Sequence, residues 1–264
     1  MMAEARRLTN VIVAHEATLL EKIDTSCPHG VCEVRVVNFS NAGLRSPWDS
    51  NQIAEARQYF VIEPKEIDTA FVSFSSYRMP EKTLGQVGHH DMCRLVRNAS
   101  MTDVYSPYVI KDSLAKMLNP SIDAEPYTFG VTPIMDDLLK IWSEDLRELT
   151  SDFEVPRFFP MCNSFCCSTA TYSDLHAFII KVIQQSWEQN QFNFDWKDQW
   201  TDSYPGREAG LLFERATACW FASQTNLEIR CTEWAQKFPR KILNFHPSFL
   251  GWRKLVSDDL DTTN

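Results

Sequence analysis

The 264-residue sequence has no run approaching the roughly 20 consecutive apolar residues that a membrane-spanning helix needs. Its first twenty residues, MMAEARRLTNVIVAHEATLL, carry two arginines and a short apolar patch. His15 and Glu16 interrupt that patch, so no secretory signal is expected. An excess of positive charge is also missing. With 35 acidic against 26 basic residues the formal net charge is −9, and the pI is near 5.2. Such a surface repels phosphate backbones, so nucleic acid is not expected as a partner, whereas a single nucleotide fits a local basic pocket. No G-x-S-x-G or comparable nucleophile motif is present, which leaves a hydrolase without support. Eight cysteines are present but no C-x-x-C pair, which predicts free, mostly buried thiols in a reducing cytoplasm. A zinc site using Cys162, Cys166 or Cys167 with a histidine is the alternative. No repeat, low-complexity block or Gly/Ser linker divides the chain. One domain is therefore expected over residues 1–256, followed by an acidic, frayed tail at 257–264.

What is present begins with aromatics, 17 Phe and 8 Trp, which suit cores and sugar-stacking platforms equally. The stretch GREAGLLFERATACWFA, residues 206–222, is apolar or small after Glu208 except at Glu214, Arg215 and Thr217. It follows Tyr204-Pro205 and has no β-branched cluster, which predicts a helix buried on most sides. Charges in such a helix cost several kcal/mol each unless partnered. Glu214 and Arg215, adjacent on the helix, do not face each other. Each is expected to meet another element or a ligand. The plainer reading is a structural ion pair to a neighbouring loop.

Earlier in the chain, Asn10–Ala14, Cys32–Phe39 and Asp68–Phe74 read as strands. Glu16–Ile23 and a segment from Asp49 or Ser50 to Phe60 read as the intervening helices. Strand and helix alternating in this way predict an α/β fold with a mostly parallel central sheet flanked by helices. Ligands bind such sheets at the carboxyl ends of the strands. His15, Ser40-Asn41 and the polar stretch Ser75–Lys82 are expected to gather there. Further strands are expected at Val104–Ile110, Arg157–Cys167 and Leu227–Arg230. Helices are expected at Lys111–Leu118, from Pro133 to Leu146, and from about Leu175 to Trp187.

Several of these pieces, in this order, resemble capsule and glycan-synthesis glycosyltransferases of bacteria and large viruses, which have a GT-A-like (nucleotide-diphosphosugar transferase) fold. VIVAH resembles their first strand, FVSFSSYRMPEK their third-strand segment with a Tyr-Arg pair, and FFPMCNSFCCSTATYSDLHAFIIKVI their asparagine-bearing strand, turn and helix. GREAGLLFERATACWFA resembles a C-terminal helix with Glu-Arg. The resemblance implies a single-domain GT-A-like fold. It also implies a cytoplasmic enzyme that moves a sugar from a nucleotide-diphosphosugar donor to a glycan or other hydroxyl acceptor. A divalent metal, Mn or Mg, accompanies the donor in many such enzymes, held by an Asp-x-Asp. No such triplet follows a strand here. The nearest substitutes are Asp136-Asp137, on the polar side of an amphipathic helix, and Asp195-Trp196-Lys197-Asp198.

Transfer of this kind needs positive charge for the departing diphosphate, a base for the acceptor hydroxyl and polar anchors for the sugar. Arg78 and Lys82 are the expected diphosphate partners, with His15 and Arg215 beside the nucleotide; ordinary surface cations and a helix-capping histidine are the plainer readings. Glu214 is the expected base or sugar anchor, because an apolar surround favours a carboxylate of proton-accepting strength. Asn163 suits hydroxyl recognition. His89 and His90, with Asp91, offer a mobile acid–base cluster. Trp196 and Trp200 suit stacking on a sugar face, although tryptophan more often packs in cores. A catalytically inactive α/β binding module is the alternative to an enzyme.

Overall fold

Residues 8–14, LTNVIVA, are dominated by apolar and β-branched side chains, and a strand of that composition is stable when both of its faces are covered. In the computed structural model this strand, β1 (Leu8–Ala14), lies inside a six-stranded sheet, with every side chain from Leu8 to Val13 buried. The structure describes residues 8–14, 23, 32–38, 62–76, 79, 88–89, 91–92, 96, 99–107, 109–118, 143–160, 163–190 and 208–231.

The other described strands are β2 (Cys32–Asn38), β3 (Phe71–Ser76), β4 (Asp103–Ser106), β5 (Val109–Asp112), β6 (Arg157–Pro160), β7 (Phe165–Ser168) and β8 (Glu228–Cys231). The helices are α1 (Leu114–Leu118), α2 (Thr169–Asn190) and α3 (Glu208–Ser223), with a 3-10 turn at Pro64–Glu66. Residues 143–147 are also helical, the end of the helix expected from Pro133; its opening turns lie outside the described residues, as do the two helices expected before β2 and β3 apart from Ile23.

The sheet order is β2-β1-β3-β7-β4-β8, and β5 pairs with β6 in a separate two-stranded sheet. β1 is parallel to β2 and β3, and β4 is parallel to β8. β7 is antiparallel to both β3 and β4. Five strands thus share a direction and one opposes them, which agrees with the expected mostly parallel sheet.

Two expected strands prove to be broken. Val104–Ile110 divides at Pro107 into β4 and β5, which belong to different sheets. Proline has no N–H to continue the ladder. Arg157–Cys167 is shared between β6, which ends at Pro160 in the small sheet, and β7, and before β7 Asn163 has a φ of 46°, left-handed and incompatible with an extended strand. The expected helix Lys111–Leu118 is shortened to α1, because Lys111 and Asp112 pair with Phe158 and Arg157 in the small sheet. The Ser113 hydroxyl then accepts the Lys116 N–H at 3.3 Å, beginning the helix. α2 starts earlier than expected, at Thr169, where the Ser168 hydroxyl accepts the Thr171 N–H at 3.1 Å.

The two faces of the sheet have different covers. On one face Phe74 packs on Phe165 and on Tyr172 of α2, with centroids 5.3 and 4.8 Å apart, and Phe165 packs on Phe221 of α3 at 5.0 Å. The Tyr172 hydroxyl, fully buried, donates to the Ile62 carbonyl at 2.8 Å. On the other face Leu8, Phe71 and Cys166 pack with Met79, Met92 and Val96. Met79 is completely buried there, so the stretch expected to be a polar edge, Ser75–Lys82, contains a core residue.

Arg157 of β6 ties the small sheet to the end of α3. Its guanidinium donates to the Ala222 carbonyl at 3.0 Å and to the Thr150 hydroxyl at 3.2 Å, with the exposed Asp152 carboxylate 3.6 Å away. A cation on a C-terminal helix carbonyl also opposes the negative end of the helix dipole. The half-buried bonds should outweigh the solvent-screened ion pair. Arg157→Met is expected to lower unfolding stability by about 1–3 kcal/mol, and Asp152→Ala by less than about 1 kcal/mol, both read from urea denaturation.

Candidate functional site

Parallel strands deliver their carboxyl ends to one edge of a sheet, and the register shows which residues meet there. Ala14 pairs with Asn38, and Val13 with Ser76, so β1, β2 and β3 end level. Because β7 is reversed and Phe165 pairs with Phe74, the turn before β7 opens at that same edge. The end of β4 is fastened to this turn, with the Ser106 hydroxyl donating to the Ser164 carbonyl at 2.7 Å. Ser75, Ser76, Ser106, Asn163 and Ser164 therefore line the edge formed by the carboxyl ends of β3 and β4 and the amino end of β7, and all are buried.

Asn163 is the unusual member of this group. It adopts the left-handed conformation, is 5% exposed, and its Oδ1 is buried with no hydrogen-bond partner. Asparagine tolerates the left-handed region better than most residues because its short polar side chain bonds locally. A buried oxygen left without a donor nevertheless costs about 1–3 kcal/mol.

His89 occupies a different position from the one expected. It is buried over the sheet face between β1 and β3 rather than in a mobile loop. Its carbonyl accepts from Asn10 Nδ2 at 2.9 Å, and its Nδ1 lies 3.3 Å from the Ser75 hydroxyl. Asn10 Oδ1 in turn accepts from Ser73 at 2.8 Å. The reason is local: β1 and β3 place an amide and two hydroxyls inside the sheet, and buried polar groups of this kind require partners. Asp91 closes the turn that holds His89, accepting the Gly88 N–H at 2.7 Å through its carboxylate. Its carboxylate thus serves backbone geometry.

Glu214 and Arg215 lie on α3, both half-buried and both engaged in interactions. From Ala216 to Ser223 every residue of the helix is buried, as its apolar sequence predicts. Burial pushes the Cys219 thiol up to about 12, against the opposing pull of the nearby Arg215 guanidinium. Phe221, further along α3, touches Phe165 two residues beyond Asn163, so the helix bears directly on the strand that begins at the site.

His15, Arg78, Lys82 and His90 lie outside the described residues, as do Asp136, Asp137, Asp195, Trp196, Asp198 and Trp200. Among the described residues no group of three or more His, Cys, Asp or Glu side chains is placed to hold a metal ion. Cys166, Cys167 and Cys219 are free, buried thiols, in keeping with the reading of their composition.

Charge does collect among described residues at the opposite, amino edge. There Asp103 accepts the Ser100 N–H at 2.8 Å and pairs with Arg230 at 3.3 Å. Burial and then the Asp103 carboxylate raise the pKa of the Tyr105 hydroxyl, which donates to Asp103 at 3.2 Å. These contacts join β4 to β8. Sequence reasoning missed Ser106 and Asn10. Ser-Pro after an apolar strand marks its end, and an amide opening an apolar strand marks a buried network.

Two measurements check this geometry. Asn163→Gly removes the unsatisfied carboxamide and suits the left-handed backbone, so its ligand-free stability should stay within about 1 kcal/mol of the parent. Asn163→Ala should be less stable than the glycine variant by about 1–2 kcal/mol in the same urea titration. Cys219 supplies a pH dependence. An ordinary thiol at 9.0 ionises in the unfolded chain while the folded one stays protonated to about 12. Its contribution is therefore intact below pH 9 and lost as pH rises toward 12. The slope is at most about 1.4 kcal/mol per pH unit. Cys219→Ala should flatten the alkaline fall in stability by that amount.

No family model matches the chain, and no curated protein does. The fold is similar to that of the solved apo structure of WbbM, a bifunctional glycosyltransferase, with a TM-score of 0.55 and 10% sequence identity over 87% of this chain. The chain spans 44% of that protein's length, less than half. At this identity the likeness is one of architecture. The mixed α/β chain, with its six-stranded central sheet, has a glycosyltransferase-like fold.

Proposed function

We propose that the protein is a glycosyltransferase that moves a sugar from a nucleotide-diphosphate donor to the hydroxyl of a glycan or other acceptor. The observation that carries this reading is the architectural likeness to a glycosyltransferase across 87% of the chain. It is supported by polar residues gathered where an α/β sheet of this kind binds ligands, at the carboxyl edge. A GT-A-like fold, with donor and acceptor meeting at that edge, belongs to the same proposal.

In the reaction the bond between the sugar C1 and the diphosphate oxygen breaks, and its electron pair leaves with the diphosphate. The acceptor oxygen bonds C1 and gives up its proton. Arg78, Lys82, His15 and Arg215 are assigned to the diphosphate and nucleotide, where guanidinium and ammonium groups offset the developing charge. Glu214 is assigned to the acceptor proton. His89 and His90 are the further acid–base candidates; His89, buried against Ser75, would act from within the sheet face. A divalent cation, Mn or Mg, supplies additional neutralisation when bound. Asp136 and Asp137 are the nearest acidic pair for it, although a solvated helix face is their plainer role. Action in the cytoplasm is part of the proposal.

Thermal-shift titration with UDP, GDP and their sugar conjugates, with and without manganese or magnesium, tests the reading. Binding at a hundredfold excess over Kd stabilises a protein by about 2.7 kcal/mol, which appears as a rise of roughly 5 °C or more. A response to nucleotide sugars is expected. No response to any nucleotide would leave an α/β binding module without transferase activity as the better account. For a responding donor, Glu214→Gln should reduce kcat by about 100-fold or more while keeping the nucleotide-induced shift. Loss of folding together with binding would instead mark Glu214 as structural.

A further inference from the structure

The turn that opens β7 holds a buried acceptor with nothing to accept. Asn163 Oδ1 has no partner, although the residue is 5% exposed and lies in a left-handed conformation that holds the carboxamide at the sheet edge. Its surroundings do not share the defect. Ser106 and the Ser164 carbonyl satisfy each other at 2.7 Å. In the neighbouring network Asn10, with the same side chain, is bonded through both its oxygen and its nitrogen. A buried polar group left unsatisfied calls for an explanation, of which a bound ligand is one, and left-handed non-glycine residues cluster at ligand sites.

The geometry points to Asn163 as the group that reads a hydroxyl of the transferred sugar, which sets the donor's sugar specificity. This inference rests on the glycosyltransferase reading and refines it. A lone acceptor needs a donor, and a diphosphate at neutral pH offers only acceptors, so the diphosphate is excluded as the partner of Oδ1. A sugar hydroxyl both donates and accepts, which matches a carboxamide on both counts. A nucleobase imide N–H shares the donor chemistry. Position favours the sugar. In the order β2-β1-β3 the chain turns to opposite sides of β1, and the crevice at such a switch point holds the nucleotide. β7 lies beyond β3, one strand spacing of about 4.8 Å further from that crevice, and on this proposal the sugar end of the donor extends to that side. The asparagine χ2 torsion is broad, so Oδ1 reaches the exposed part of the residue by rotation, without unfolding the turn.

The experiment compares the parent with Asn163→Gly, which removes the carboxamide and keeps the backbone conformation. Both are titrated with UDP and GDP, with UDP-glucose, UDP-galactose and GDP-mannose, and with monodeoxy analogues of whichever conjugate binds tighter than its bare diphosphate. In the parent, one monodeoxy analogue is expected to bind about 10- to 100-fold more weakly than the full sugar, the cost of a buried polar group left unpaired. Asn163→Gly should bind the bare diphosphate as the parent does, and should no longer distinguish that analogue from the full sugar. If the glycine variant keeps the parent's discrimination at every hydroxyl, Asn163 does not read the sugar. If it loses the bare diphosphate and the conjugate equally while unfolding at the parent's temperature, the partner is the nucleobase, and the inference fails. A parent that binds no nucleotide would overturn the glycosyltransferase reading itself, and this inference with it.

Discussion

The reversed strand β7 is bonded along both edges, to β3 and to β4, and all four of its side chains are buried. It is the seam between the parallel group β2-β1-β3 and the pair β4-β8. Its Phe165 is the hub on which Phe74 and Phe221 meet, with Tyr172 beyond Phe74, so α2 and α3 are positioned through the same few rings. Aromatic pairs at these separations contribute beyond the area they bury. Because β7 opposes its neighbours, the turn that precedes it falls at their carboxyl ends. A single reversal of direction thus brings Asn163 and Ser164 to the edge where Ser76 and Ser106 finish.

Polar groups inside the sheet fall into two kinds. Asn10, Ser73, Ser75 and His89 form a bonded set across β1, β3 and the turn above them, and Thr9 meets Thr69 at 2.8 Å. A one-residue slip between β1 and β3 would move Asn10 away from Ser73 and leave buried groups without partners. The set therefore specifies register more sharply than the apolar residues around it. Asn163 is of the other kind, with an oxygen left over after folding is complete. The contrast is between an asparagine whose amide holds β1 to its neighbours and one, in the turn before β7, whose oxygen is buried without a partner.

Much of this was readable in the residues. The strands β1, β2, β3 and β8 and the helices α2 and α3 lie close to where composition and periodicity put them, because each is long or apolar enough for local pattern to decide. The segments around Pro107 and Asn163 were misread as continuous strands. Each is continuously apolar or aromatic on both sides of its break, and the break comes from one residue's backbone rather than from any change in hydrophobicity. His89 shows the same limit in another form. A pair of histidines in a glycine-flanked stretch has the composition of a solvated loop, and only the amide and hydroxyls inside β1 and β3, which it helps to satisfy, give the burial of His89 a reason.

By itself the sequence determined an acidic α/β chain with buried thiols, a mostly parallel strand set and a late helix enclosed by its neighbours. These follow from charge, apolar spacing and side-chain shape, which act over one or two turns of chain. The tertiary structure decided strand order, the reversal of β7, and which buried polar groups satisfy one another and which, Asn163 Oδ1 among them, do not. Those depend on pairings across 60 to 100 residues, such as Ser73 with Asn10 and Thr169 with Thr69. The free energy of such pairings comes from desolvation and hydrogen bonding between segments that no local pattern links.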